Sequence, residues 1–161
     1  MLGEITKIHA SLEGYDAYHQ IKKAGRSGGV SVYCRQNLTV ETLDHMCVSN
    51  ENMETMTVKI NVHGDAIILL AVYRHHSSTI ETFSAQLYGM MHDNAMRNQK
   101  IILVGDININ LNQQCPAVET FITNLQSLHF IPVITKPTPF PPSNVKGNPS
   151  LLDQIWINCL N

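Results

Sequence analysis

Short apolar runs, each of strand length, set the rhythm of this chain. Residues 28–35 (GGVSVYCR) alternate apolar and polar positions after a double glycine. Residues 55–62 (TMTVKINV) place Met, Val, Ile and Val against polar neighbours, the period-two pattern of a strand with one buried face. His63-Gly64-Asp65 then reads as a tight turn, because glycine tolerates positive φ. Residues 66–73 (AIILLAVY) are apolar almost throughout, which predicts a strand covered on both faces and hairpin-paired with the one before it. The run at 100–105 (KIILVG) predicts a further strand, and 151–158 (LLDQIWIN) a last one.

Helical spacing appears twice. Ser78 can cap a helix that begins near Thr79, with Glu81 in its first turn and Phe83, Leu87, Met90, Met91 and Ala95 on one face. A second helix is predicted over 118–128, where Phe121, Ile122, Leu125 and Leu128 share a face and His129 falls in the strand that follows. From Pro132 to Pro149 the chain holds six of its seven prolines, so an extended loop is expected there. Strand pairs alternating with two helices predict a mixed α/β fold, and the covered strands predict a layered α/β sandwich. At 161 residues, without a repeat or a linker, the chain is expected to form one domain over 1–161.

Composition narrows the function. With 43% hydrophobic and 15% charged residues, the chain reads as globular rather than disordered. The formal charge of −2 argues against binding nucleic acid through a global basic field, since the densest basic stretch is Lys22, Lys23 and Arg26. A nucleic-acid partner would therefore be met at a local site. The four cysteines form no CxxC pair, which argues against zinc. No signal peptide is readable, and the longest apolar run is far short of a membrane span, so an intracellular protein that does not insert in a membrane is expected.

The most informative segment is VGDININ at 104–110. A buried strand ending in Gly-Asp-x-Asn delivers a carboxylate and an amide to its exit, where open α/β sheets commonly place ligands. Asp106 could orient or deprotonate a water, and the Asn108 amide could donate to a phosphorane oxygen. Two apart on an extended backbone, they should point to the same side. Read alone, Asp-x-Asn after a strand is equally turn chemistry.

Five further segments accompany it in order. Gly14-Tyr15, GGVSVYC at 28–34, Glu54 in ENMETMTVKI, AVYRHHSS at 71–78 and KPTPF…SLLDQIWIN at 136–158 flank ILVGDININL at 102–111. In order and spacing, from Gly14 to Asn158, the set resembles the endonuclease domains of non-LTR retrotransposons, within the endonuclease/exonuclease/phosphatase superfamily. The resemblance implies a DNase I-like α/β sandwich, a Mg²⁺ cofactor and DNA as partner. It implies that Asp106 activates the attacking water, that Asn108 stabilises the transferring phosphate and that Tyr73 reaches the same phosphate. It matches Asp153 to an aspartate that orients a histidine further downstream, and Glu4, in Gly3-Glu4-Ile5-Thr6, to a metal-binding glutamate. Without the resemblance, Tyr73 reads as a buried strand-end tyrosine, Asp153 as a polar residue on an open strand face, and Glu4 as a solvated terminal glutamate.

The chain also departs from that pattern. Met1 stands only three residues before Glu4, where the family carries a strand with a metal-site asparagine, and the chain stops at Asn161, ahead of the family's closing serine-aspartate-histidine strand. A domain lacking its first and last strands is thus expected, with exposed strand edges, marginal stability and self-association. His75-His76 replaces the family's proline pair and reads as two surface histidines facing opposite ways, Pro139 stands where an arginine is common, and Gln154 replaces a histidine. Two functions follow from these features. One is a metal-dependent phosphodiester hydrolase acting as a DNA endonuclease of retrotransposon origin. The other is a catalytically inactive remnant that acts at most as a binding module. A phosphomonoesterase or small-substrate phosphodiesterase fits the retrotransposon-style segments less well.

Overall fold

Alternating strands and two amphipathic helices fold into layers around one central sheet. The computed structural model describes residues 11–21, 29–93, 96, 98–136 and 151–158. Within them the order is β1 (Tyr15–Ile21), β2 (Gly29–Arg35), β3 (Thr39–Thr42), a 3₁₀ turn (Asp44–Met46), β4 (Met53–Val62) and β5 (Asp65–Arg74). There follow α1 (Ile80–Met91), β6 (Lys100–Asp106), α2 (Pro116–Ser127), β7 (Phe130–Pro132) and β8 (Asp153–Asn158). Glu4, the Lys22-Lys23-Arg26 cluster, Ala95 and most of the proline-rich loop, Pro139 included, lie outside the described residues.

The central sheet runs β3-β4-β5-β6-β8-β7, and β1 and β2 form a separate antiparallel pair. β5 and β6 are parallel and joined through α1; the other neighbours are antiparallel. This mixed arrangement is what a long, doubly covered strand such as β5 requires. The expected hairpin is present, and its loop is the two residues His63 (φ 51°) and Gly64 (φ 92°), with Val62 paired to Asp65. Two successive positive φ values match the twist of the flanking strands, and glycine takes the second without strain.

Side-chain alternation assigns the two faces of the sheet to two cores. On one face, Ile68, Leu70 and Val72 of β5, Leu103 of β6 and Trp156 of β8 pack against Phe83, Leu87 and Met91 of α1 and Phe121 and Leu125 of α2. Phe121 stands edge-on to Trp156 with ring centroids 6.3 Å apart. On the other face, Met56, Val58 and Ala71 meet Val32 and Cys34 of β2. The result is a layered α/β sandwich, with helices, central sheet and second sheet in that order. No helix among the described residues is long and apolar enough to cross a membrane.

Several expectations need correcting. β4 does not have one buried face: every residue from Met53 to Val58 is buried. The hydroxyls of Thr55 and Thr57 both donate to the Met46 carbonyl, at 2.9 Å each, so the 3₁₀ turn covers the polar side of the strand. The cap of α1 is Thr79, whose hydroxyl accepts from the Thr82 N–H at 3.1 Å, and not Ser78, which is buried. His129 (φ 64°) ends the turn after α2 instead of joining β7, and α2 begins at Pro116, a residue whose missing N–H suits a first helical turn.

Candidate active site

The exit of β6 is built by an alternation that continues past the strand. Ile107 and Ile109 are almost fully buried in the helix-side core, which pins the backbone on either side of Asn108. Gly105 (φ 153°) brings β6 against β5 so closely that a Cβ there would lie 1.7 Å from the Val72 carbonyl oxygen. The glycine of Gly-Asp-x-Asn is therefore set by backbone approach, and the aspartate that follows is held at a fixed height on the sheet.

That height is shared. Glu54 pairs with Tyr73 across β4 and β5, Tyr73 with Asp106 across β5 and β6, and Asp106 with Asp153 across β6 and β8. Residues opposite one another on neighbouring strands share a face, so four strands contribute one row of polar side chains. Asp106, Tyr73 and Asp153, proposed from separate segments of the sequence, are thus brought together, and Asn108 follows two residues later. Asp106 and Tyr73 are half-buried, and Asp153 is exposed. Like charges stand opposite each other at Asp106 and Asp153, an arrangement that costs stability unless something cationic offsets it.

Asn108 is not on an extended backbone. Its φ is 49°, its N–H donates to Asp106 Oδ1 at 3.0 Å, and its Nδ2 donates to the Arg74 carbonyl at 2.8 Å. An Asx turn has replaced the strand geometry, since asparagine accepts the left-handed conformation and its short side chain bonds locally. The turn is tied on its far side too: Ile107 N–H donates to the Leu152 carbonyl at 3.4 Å, and Asn110 Oδ1 accepts from Leu151 N–H at 3.2 Å.

Two residues that had no assigned role stand out. Arg74 is buried at 7% exposure, and its guanidinium donates to the main-chain carbonyls of Ile107 and Asn108 (2.8 Å each), His75 (3.2 Å) and Ser78. Burial pulls the guanidinium down from the usual arginine range, while its electrostatic interactions with Asp106 and Tyr73 push the other way. Glu54 is fully buried, and neither carboxylate oxygen has a hydrogen-bond partner. His75 Nε2 lies 3.4 Å from its Oε1, and the His75 ring stands edge-on to Tyr73 with centroids 5.2 Å apart. His75 is therefore not the surface histidine expected; only His76 is exposed. A charged residue ending an apolar run, at Arg74, and a glutamate opening a strand whose first six residues are buried were the available signals.

No protein-family model matches the chain, and no curated protein matches its sequence. Solved structures do match. The endonuclease domain of TRAS1, a telomere-specific non-LTR retrotransposon, superposes with a TM-score of 0.70 at 15% identity, over 98% of this chain and 77% of that one. The Xenopus laevis APE2 catalytic domain gives 0.62 at 13% identity, over 98% and 70%. An endonuclease/exonuclease/phosphatase family protein from Bacteroides thetaiotaomicron gives 0.58 at 12% identity, over 98% of this chain and 64% of that one.

Proposed function

Taking the fold of the endonuclease/exonuclease/phosphatase proteins as the premise, we propose that this chain is a nuclease-type hydrolase that cleaves phosphodiester bonds in DNA. The narrower reading is an endonuclease of non-LTR retrotransposon origin. The observation that carries the proposal is the in-register row Tyr73–Asp106–Asp153 beside the Asn108 turn. The order of retrotransposon-like segments and the likeness to the TRAS1 domain support the narrower reading.

Within this site the roles follow from chemistry. Asp106 is an acceptor that orients a water or takes its proton. The Asn108 amide carries a second hydrogen beyond the one given to the Arg74 carbonyl, and that hydrogen can meet a phosphate oxygen. The Tyr73 hydroxyl, in register with Asp106, donates to the same phosphate. Asp153 supplies a second carboxylate beside Asp106.

The fold family implies a divalent cation, and Mg²⁺ calls for oxygen ligands. Among the described residues no group of three or more His, Cys, Asp or Glu side chains is arranged to hold a metal ion. Asp106 and Asp153 offer two carboxylates, while Glu4 lies outside the described residues. The described residues do not by themselves fit a complete cation site, so the roles above belong to the chain's own side chains.

Supercoiled plasmid nicking in Mg²⁺ tests the proposal. Asp106→Ala should lower the nicking rate by about two to four orders of magnitude, the usual worth of a positioned proton acceptor. Equal rates for the variant and the unmodified chain would leave a binding module in place of an enzyme.

A further inference from the structure

Of the residues around the site, Arg74 carries the most contacts and had no part in the roles above. We propose that Arg74 is a positioning residue that holds Asn108 in its left-handed turn and so aims the Asn108 amide beside Asp106. This deepens, and rests on, the reading of the site as phosphodiester-cleaving.

The geometry is reciprocal. Arg74 Nη2 donates to the Asn108 carbonyl at 2.8 Å, and Asn108 Nδ2 donates to the Arg74 carbonyl at 2.8 Å. Each residue thus uses its side chain to bind the other's main chain, so two independent bonds tie the end of β5 to the turn at Asn108. Arg74 Nε adds a bond to the carbonyl of Ile107, and Nη1 reaches the carbonyls of His75 and Ser78 on the opposite loop. One guanidinium therefore fastens the β5–α1 loop to the β6 exit. Only a planar fork with several donors in fixed directions can span these carbonyls together; an ammonium on a flexible stem cannot.

The charge itself is not placed for an ion pair. Among the described residues the close carboxylate contacts are those of Glu54 with His75 and Asp65 with Lys100, and Arg74 is in neither. A buried cation that meets main-chain dipoles is an expensive way to gain stability. Its product is geometry: an asparagine at φ 49° whose N–H is given to Asp106 and whose carbonyl is given to Arg74. The arginine side chain directly after the site tyrosine is also almost fully enclosed. It points inward, at 7% exposure, and is not a surface group for DNA.

The test compares Arg74→Lys, which keeps charge and approximate length but loses the fork, with Arg74→Ala. In both, kcat for plasmid nicking should fall about 100-fold, the size of effect expected from a small misplacement of a reacting group. KM should change less than about threefold, because no substrate contact is removed. Added guanidinium should recover part of the rate in Arg74→Ala. Backbone amide exchange, read by NMR without substrate, provides a measure independent of activity. Arg74→Lys should raise exchange at Asn108 at least tenfold and leave Val58, in the middle of β4, unchanged. If Arg74→Ala does not fold, Arg74→Lys alone carries both readouts. Wild-type kcat together with unchanged Asn108 exchange in Arg74→Lys would overturn the proposal. An unmodified chain that does not nick, yet shows the Asn108 effect, would remove the hydrolase reading and leave the clamp standing.

Discussion

Gly105 and Val72 approach so closely that the space a side chain would need at Gly105 is already filled by the Val72 carbonyl oxygen, 1.7 Å from the ideal Cβ position. The obstacle is hydrogen-bonded backbone within a parallel strand pair, one position before its end, so it cannot swing aside freely. Gly105→Ala should destabilise the fold by about 3 kcal/mol or more, a cost reached only where a substitution meets strain or overpacking. It should also lower nicking, since Asp106 would move with its strand. Urea unfolding measures the first effect, and a midpoint within error of the unmodified chain would contradict it.

Glu54 and His75 form a buried pair beside Tyr73, with a fully buried carboxylate on one side. Removing the imidazole leaves the buried Glu54 carboxyl without its polar neighbour, and His75→Ala should cost about 1–3 kcal/mol, the range for a buried polar group left unsatisfied. Glu54→Gln replaces the buried carboxyl and should make the same His75→Ala change milder. A double-mutant cycle should therefore give a coupling of roughly 1–3 kcal/mol. Strictly additive effects would mean that the two side chains do not sense each other.

Cys34 and Cys47 line the second core, and burial raises both thiols above their usual range. Asp16 raises Cys34 further; at Cys47 a hydrogen bond from the Thr57 backbone opposes the rise and Asp44 adds to it. With a raised value in the folded state, the folded chain holds its protons longer than the unfolded one. The stability from this source is complete below the unfolded thiol value of about 8.5 and is lost as pH climbs through the folded value. The urea midpoint should fall between about pH 7 and about pH 10, a span that brackets the ordinary thiol value. The fall should be smaller in Cys34→Ala/Cys47→Ala. An identical fall in the double variant would assign the alkaline loss to other groups, of which Tyr18, also raised by burial, is one.

Much of the fold was legible because its central strands are apolar for their whole length. β4, β5, β6 and β8 emerged within two residues of their observed bounds, as did α2, since a covered strand and a helix stripe write their own period; α1 began where expected but ends at Met91, short of the Ala95 that its spacing had included. β1 and β3 did not. YDAYHQI carries Asp, His and Gln, and TVET is four residues with two threonines and a glutamate. Each is a strand because it pairs with β2 or β4, a property of the partner that no local window contains. The site divides in the same way. The place of Asp106 at the exit of a covered strand was readable from its own segment, whereas the turn at Asn108 depends on the carbonyl and the guanidinium of Arg74, thirty-four residues earlier. The burial of Glu54 depends on layers above and below it, and the fate of His75 depends on Glu54.

The polar row across β4, β5, β6 and β8 also ties chemistry to assembly. Its members come from positions 54, 73, 106 and 153, so no contiguous piece of the chain contains the site. A slip of one residue in any of these pairings would turn that strand's contribution to the opposite face. The closing pair, Asp106 with Asp153, joins segments nearly fifty residues apart and bears the largest loop-closure entropy of the interior row. The proposed nicking therefore needs β8 docked on β6, and its rate would report how many molecules have completed their sheet.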